Sequence, residues 1–151
     1  MSDVIIDFAD LLLAGLLTGA IFGVFLVMRP AGLDATTYVI QQQNGIRAVN
    51  HILPPLGAVT IIVTLAAAFT ARGAPLRMTM LFAAAAALIV VGLVTRFLNQ
   101  PINEIVMTWN ASSPPAEWTT LRDAWWRWHL VRLGLAILGL SLIIAAALRR
   151  G

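Results

Sequence analysis

The sequence predicts an all-α fold: an integral membrane antiparallel four-helix bundle with a short interfacial helix after the third span. Of the 151 residues, 60% are apolar and only 11% are charged, which is under half of the roughly 25% typical of soluble domains. Four apolar runs are each long enough to cross the hydrocarbon core of a bilayer, which takes roughly 20 helical residues. Because backbone groups in lipid must be satisfied within the segment, these runs are expected to be helices.

The composition also limits the chemistry that the chain can carry. It has no cysteine, so disulfides, thiolate nucleophiles and cysteine-bound metals or clusters are excluded. All ten basic residues are arginines, and the net charge of +3 is too small to indicate a nucleic-acid partner. The length predicts a single transmembrane domain over residues 1–151, and the lipid bilayer is its expected environment.

The first span covers about residues 5–28 and ends at Arg29, which a helix-breaking proline follows. Gly15, Gly19 and Gly23 recur every four residues and therefore lie on one helix face. Small residues at this spacing let helix backbones approach closely in lipid. The predicted role of this face is packing, within the chain or between the copies of a homo-oligomer. Its alternative role is to leave room for a flat ligand.

A polar connection over residues 31–49 predicts a short interfacial helix. Asp34 is a favoured residue for the first helical cap, and the run QQQNG over residues 41–45 predicts the end of this helix. The glutamines are interpreted as solvated, with donation of hydrogen bonds to a ligand as the alternative.

Polar residues stand at the ends of the next two spans. The second span covers about residues 48–71 and has Asn50 and His51 in its first turn. The third covers about residues 75–98, and Arg96 lies in its last turn. A tight turn joins these two spans, so they are expected to pack as antiparallel neighbours.

The third span is expected to end near residue 98, because the residue before Pro101 resists helical geometry. A short helix is predicted to start at this proline, which suits the first helical position, and to run to about Trp109. A loop over residues 110–115 precedes a long helix, whose apolar part forms a fourth span over about residues 123–148.

An antiparallel bundle of these spans brings the polar residues of the chain to one side of the membrane. The ends of the first and third spans lie there with the starts of the second and fourth. The residues grouped in this way are Asn50, His51, Arg96, Asn99, Asn103, Trp125, Trp126, His129 and Arg132. Trp125, His129 and Arg132 are spaced by four and then three residues, so they share one helix face. Ionisable residues within spans are costly and usually face the bundle interior, and Arg132 is the clearest case.

The alternative interpretation is an aromatic and basic belt at the membrane interface, where Trp anchors and Arg side chains reach toward water. Trp118, Arg122 and Trp128 fit this interpretation. The asparagines, the two histidines and an arginine within an apolar helix fit it less well, and they favour a functional site.

The arginines also bear on orientation. Arg72, Arg77, Arg149 and Arg150 lie on the side of the termini, and the other six lie on the opposite side. If the arginines of the candidate site are not counted, the positive-inside rule places both termini in the cytoplasm, in an inner or plasma membrane.

Two motifs give the chain a resemblance to a known family. The run from Asn99 to Asn103 (NQPIN) is followed by the run from Trp125 to Arg132 (WWRWHLVR). With the glycine-rich first span and the prolines of the second, these motifs resemble the anthrone oxygenase-like family of small four-span membrane proteins. The resemblance covers nearly the whole chain. It implies an oxidoreductase that acts with O₂ on a hydrophobic, planar aromatic small molecule, similar to an anthrone or a hydroquinone.

The reaction that this resemblance implies requires no obligatory cofactor. Loss of a proton from the ring CH₂ of an anthrone gives an aromatic enolate, and histidine is the usual base near neutral pH. Arginine and asparagine donors would stabilise the enolate oxygen, and tryptophan rings would form flat walls. The implied catalytic residues are His51, His129, Arg132 and Asn103, and the implied substrate-binding residues are Asn50, Arg96, Asn99, Trp125 and Trp126.

Two other classes of function stay open at this point. His51 and His129 come from different spans and are the candidate ligands for haem or copper in a membrane redox bundle. A non-enzymatic scaffold subunit of the membrane requires no site at all. The colour and metal content of the purified protein separate the redox bundle from the other two classes, and copurification of a large partner favours the scaffold.

Overall fold

The described part of the chain is mostly helical. The computed structural model describes residues 2–149, with side chains from residue 4 onward. The helices are α1 (Ser2–Val27), α2 (Ala35–Val49), α3 (Leu53–Thr70), α4 (Pro75–Val94), α5 (Gln100–Met107) and α6 (Trp118–Ala147), and a π-helical turn, Thr95–Asn99, joins α4 to α5. No strand occurs within residues 2–149. The all-α prediction is confirmed.

Four helices form the bundle and are long and apolar enough to cross a membrane: Val4–Val27, Leu53–Thr70, Pro75–Met107 and Trp118–Ala147. Around the bundle the order is α1, α3, α4, α6, with α6 again beside α1. Large apolar side chains such as Phe8, Ile62 and Phe97 are about two-thirds exposed on its outer surface. Water would penalise such a surface, whereas lipid tails would cover it. The chain is an integral membrane protein. Of the arginines considered for its orientation, Arg150 lies outside the described residues.

Small residues let the helices approach closely along the bundle axis. Ala67, Ala84 and Ala136 are fully buried. A Cβ added at Gly139 would lie only 3.2 Å from the Leu88 side chain, so the glycine allows α6 to pack closely on α4 without displacing this leucine.

The glycine face predicted on α1 does not have this packing role within the chain. A Cβ added at Gly15, Gly19 or Gly23 would meet nothing within 4 Å. Gly23 lines a cavity, which fits the alternative role of leaving room for a ligand, and packing between the copies of a homo-oligomer stays a prediction.

The connection after α1 is helical for longer than its sequence predicts. Asp34 caps α2 as expected, since its carboxylate accepts a hydrogen bond from the Thr37 backbone N–H. The helix then passes through Gly45 and ends at Val49. A Cβ at Gly45 would lie 2.5 Å from the Met28 methyl group, so this glycine allows close packing of α2 on the end of α1 and does not end the helix.

The glutamine run holds α2 against its neighbours. Gln41 donates a hydrogen bond to the Val27 carbonyl oxygen, at the end of α1. Gln43 donates to the carbonyl oxygens of Val106 and Trp109, at the end of α5. The two glutamines therefore bind carbonyl oxygens at the C-terminal ends of α1 and α5, and their interpretation as solvated side chains is wrong.

The opposite end of the bundle holds a buried polar network. Arg77 forms an ion pair with Asp7, and Thr64 donates a hydrogen bond to Asp10 over 2.6 Å. Asp7, Asp10 and Arg77 are each at most 9% exposed. Pairing is what makes such residues tolerable inside a span.

Candidate functional site

A cavity of about 400 Å³ opens where α1 ends and α3 begins; we call it the first cavity. Its apolar wall comes from α1, including Gly23 and Val27, from Met28, and equally from α2, including Ile46 and Val49. Its polar lining residues are Gln42, Asn50, Thr95, Gln100, Asn103 and Arg132. Such a site, mostly apolar with a few convergent polar groups, is typical of small-molecule binding.

A second cavity of about 220 Å³ lies beside it, between α3 and α4. Its walls are mainly aliphatic, and Arg96 lines it together with Arg132. The residues that line both cavities are Leu53, Pro54, Thr95, Gln100 and Arg132. The two spaces therefore meet at Arg132.

A π-helical turn shapes the wall between α4 and α5. The Gln100 N–H donates to the carbonyl oxygen of Thr95, five residues earlier. Pro101 has no N–H, and its ring would clash with the carbonyl four residues earlier in an α-helix. The wider π turn accommodates the proline, so the helix continues past residue 98 to Met107. Single π turns within α-helices are frequent at functional sites.

Arg132 is the cation of this site. It is 8% exposed, and its Nε and Nη2 lie 3.1 Å and 3.0 Å from Nδ1 of His129. Its Nη1 lies 3.5 Å from the Thr95 hydroxyl, and its guanidinium lies 5.8 Å from the centre of the Trp125 ring. No carboxylate pairs with it among the described residues. Its charge is therefore available to an occupant of the cavity.

His129 lies behind Arg132 and lines neither cavity. It is fully buried and stacks on Trp125, with ring centres 5.3 Å apart and planes 7° apart. Because its Nδ1 accepts hydrogen bonds from Arg132, the neutral ring carries its proton on Nε2. Nε2 is buried and has no hydrogen-bond partner within the described chain. These contacts favour a role for His129 in orienting Arg132 over a role as a catalytic base.

The two asparagines of the NQPIN motif hold Trp125 in place. The Asn99 amide donates to the Trp125 carbonyl oxygen over 3.1 Å, and Asn103 accepts from the Trp125 indole N–H over 2.8 Å. Asn99 is fully buried and lines neither cavity, whereas Asn103 and Trp125 line the first cavity.

The other predicted site residues differ in which cavity they line. Asn50 lines the first cavity and accepts a hydrogen bond from Gln100. Trp126 packs beside His129 and lines neither cavity, and the exposed Arg96 lines only the second. His51 is exposed in the turn before α3 and also lines neither.

Asn50, Asn103, Trp125 and Arg132 are thus brought together in one cavity, while His51 and His129 share none. No group of three or more His, Cys, Asp or Glu side chains that could hold a metal ion occurs among the described residues.

Sequence reasoning missed two polar residues of the first cavity, Thr95 and Gln100, and considered Gln42 only through the alternative role of the glutamine run. The position of Gln42 on a buried face could have been predicted from its spacing. Tyr38, Gln42 and Ile46 are four residues apart and therefore share one helix face, and all three are buried. Thr95 and Gln100 gave no such signal, since it is the π turn that brings both to the cavity wall.

Most polar residues of the site, including Asn103 and Arg132, lie within a region that matches a known family. The family model for anthrone oxygenase matches residues 43–142, which is well over half of the chain and runs from α2 through most of α6. No curated protein and no solved structure matches the chain. The matched region contains the NQPIN motif and the Trp125–Arg132 segment, which together form the wall around the cation. The chain belongs to the anthrone oxygenase family.

Proposed function

We propose that the chain is a membrane oxygenase that oxidises a hydrophobic, planar aromatic ketone of the anthrone type with O₂. The observation that carries this proposal is Arg132, a buried guanidinium that pairs with no carboxylate within the described residues and faces a 400 Å³ cavity with largely apolar walls. A flat aromatic ring fits such walls, and a guanidinium stabilises an oxygen on which negative charge develops.

The reaction begins when the ring CH₂ loses a proton and the ketone oxygen becomes an enolate oxygen. Arg132 donates hydrogen bonds to this oxygen, and Asn103 and Trp125 hold the ring beside it. The electron-rich carbon then reduces O₂ and forms a bond to one of its oxygen atoms. That carbon ends as a second ketone, and the other oxygen atom leaves as water with the two hydrogens of the CH₂ group.

The proton acceptor in this proposal is His51 rather than His129. The acceptor nitrogen of His129 is already occupied by Arg132, whereas His51 is exposed and directly follows Asn50, which lines the cavity. A base can act through one water molecule, and the rim of a half-open cavity admits water.

Oxygen uptake by the purified protein in lipid vesicles tests the proposal. An anthrone is supplied, formation of the anthraquinone is followed by absorbance, and the rate in protein-free vesicles is subtracted because anthrones oxidise slowly in air. We expect Arg132→Gln to lower the turnover number about a hundredfold, which is the usual effect of losing one oxyanion donor. Arg127→Gln is the matched control, since Arg127 is exposed on the same helix and lines neither cavity.

Turnover at the protein-free rate by the wild-type chain would overturn the proposal, and so would wild-type turnover by Arg132→Gln. His51→Gln tests the base separately. We expect it to lower turnover at neutral pH and hydroxide to restore part of the turnover at high pH, while substrate binding stays unchanged.

The orientation with both termini in the cytoplasm stays a prediction. Arg29, Arg47 and Arg127 are exposed on the cavity side and line neither cavity, so they count fully toward the positive-inside rule and favour the opposite orientation. Because the chain has no cysteine, a single cysteine at Gly73 or at Ser112 can be labelled with an impermeant maleimide in intact cells. Labelling at Ser112 alone would support cytoplasmic termini.

A further inference from the structure

The second cavity is not used by the chemistry proposed above. Beyond the residues shared with the first cavity, its walls are formed by aliphatic side chains such as Leu17, Ile61 and Val91, with Arg96 at its rim. No acidic residue lines it. A wall of this kind suits a hydrocarbon and offers little to a polar ring.

Two glycines keep this space open. Gly57 and Gly92 line the cavity from α3 and α4. A Cβ at Gly92 would meet nothing within 4 Å, and a Cβ at Gly57 would meet only Leu17, at 3.9 Å. Gly92 is exposed on the outer surface of the bundle, so this space is a groove that opens toward the lipid. In a membrane, an open aliphatic groove is filled by an apolar occupant, which is either a bilayer lipid or part of a bound ligand.

We propose that the second cavity binds an apolar chain attached to the aromatic ring of the substrate, either alkyl or isoprenoid. This inference rests on the proposed function, and it narrows the substrate class from bare polycyclic ketones to ketones that carry a hydrocarbon substituent. The ring occupies the first cavity with its oxygen at Arg132, and the substituent passes Arg132 into the second.

The continuity of the two cavities favours a substrate chain over the acyl chain of a bilayer lipid. An acyl chain would need only the aliphatic part of the groove. The cavity instead ends at Thr95, Gln100 and Arg132, which are the same polar groups that line the ring site. A single ligand with a polar ring and an apolar chain would contact both the polar groups at Arg132 and the aliphatic walls of the second cavity.

The test is equilibrium binding, so that it does not depend on turnover. The probes are anthraquinone and an anthraquinone that bears one hexyl chain, added to the protein in phosphatidylcholine vesicles. Quenching of tryptophan fluorescence reports binding, since Trp125 lines the first cavity. The ratio of the two dissociation constants is compared between proteins, so that partitioning of each probe into lipid cancels.

The variants fill the second cavity from either wall: Gly92→Leu from α4 and Gly57→Leu from α3. The matched control is Gly19→Leu, because Gly19 is exposed on α1, lines neither cavity and likewise has open space at its Cβ position. We expect Gly92→Leu to reduce the preference for the hexyl probe roughly tenfold. This is a small effect for the loss of an apolar contact, because lipid tails also solvate the hexyl chain and so reduce what the cavity can contribute. Binding of the chain-free probe stays unchanged.

An unchanged ratio in both cavity-filling variants would overturn the inference and leave bilayer lipid as the occupant. A ratio that changes equally in Gly19→Leu would overturn it as well. If the ratio falls as expected while the oxygen-uptake assay shows no turnover, the chain site stands and the proposed oxygenase fails. If neither probe binds, both fail.

Discussion

Nε and Nη2 of Arg132 both point at a single acceptor, Nδ1 of His129, over 3.1 Å and 3.0 Å. The two residues are three positions apart on α6, so one turn of helix presents both the cation and the group that orients it. The remaining guanidinium nitrogen, Nη1, faces Thr95 across the cavity wall.

Replacing His129 should therefore act on the site through Arg132. His129→Phe keeps the stack on Trp125 but removes the acceptor, and we expect turnover to fall at least tenfold and the protein to lose about 1–3 kcal/mol of stability. His129→Gln offers a carbonyl acceptor and should recover part of the turnover. A catalytic base would show the opposite pattern, with glutamine as inactive as phenylalanine across the whole pH range. Oxygen uptake at several pH values distinguishes the two.

Asn103 combines two effects that substitutions can separate. Asn103→Leu leaves the Trp125 indole N–H without its acceptor, so we expect a shift in tryptophan emission together with weaker substrate binding. Asn103→Asp keeps an acceptor and should leave the emission near that of the wild type. The added negative charge opposes an anionic intermediate, and turnover should fall about tenfold or more. Equal turnover in the aspartate variant and the wild type would mean that no anion forms near Asn103.

The buried ion pair at the other end of the bundle should contribute to stability and leave the chemistry unchanged. Arg77→Met removes the ion-pair partner of the buried Asp7 carboxylate, and we expect a loss of about 3 kcal/mol. The double variant Asp7→Leu/Arg77→Met removes both charges and should recover most of that loss. Thermal unfolding in detergent measures the stability, and oxygen uptake below the unfolding temperature should match the wild type. A double variant no more stable than Arg77→Met would contradict this account.

The cap of α2 should make its first turn sensitive to acid. The Thr37 hydroxyl and backbone N–H donate to the Asp34 carboxylate and hold its pKa below the ordinary value of 3.8. A depressed pKa stabilises the folded form above the unfolded pKa, and this contribution is lost as the pH falls below 3.8 and through the folded pKa.

Hydrogen exchange at the Thr37 amide measures this effect. We expect its protection to fall in acid for the wild type and to stay constant for Asp34→Asn, because asparagine caps a helix equally well without a charge. Asp34→Ala should lack the protection at neutral pH as well. Identical acid dependence in the wild type and in Asp34→Asn would show that the carboxylate is not responsible.

Much of the bundle could be predicted from the sequence because few backbone structures can span a lipid bilayer. The length of the apolar runs gave the four spans, and their antiparallel order placed Asn50, Asn103, Trp125 and Arg132 on one side before any coordinates were known. Which of these face a common cavity depends on helix rotation, which the sequence leaves open. The extension of α2 past Gly45 was missed because the contact that favours it, with Met28, joins residues from different helices.

The roles of the two histidines also depend on helix rotation, which the sequence does not determine. Both residues lie on the correct side of the bundle, and residue type alone suggests a base. Only the three-dimensional contacts reveal that the His129 acceptor nitrogen faces an arginine and that its ring lies between two tryptophans. The rotation of α6 decides this, and residues of similar spacing on a slightly turned helix would have opened His129 to the cavity.

The π-helical turn lets one membrane helix hold one residue more than an α-helix of the same register would. Five residues of π winding rotate the chain about as far as four residues of α winding. A single deletion between Thr95 and Asn99 could therefore be absorbed by a return to α winding, at the cost of a clash between the Pro101 ring and the carbonyl four residues earlier. A single insertion there has no such compensation and would rotate Asn103 away from Trp125 by about 100°. The loop over residues 108–117 ends in exposed turns and can change length without turning any helix.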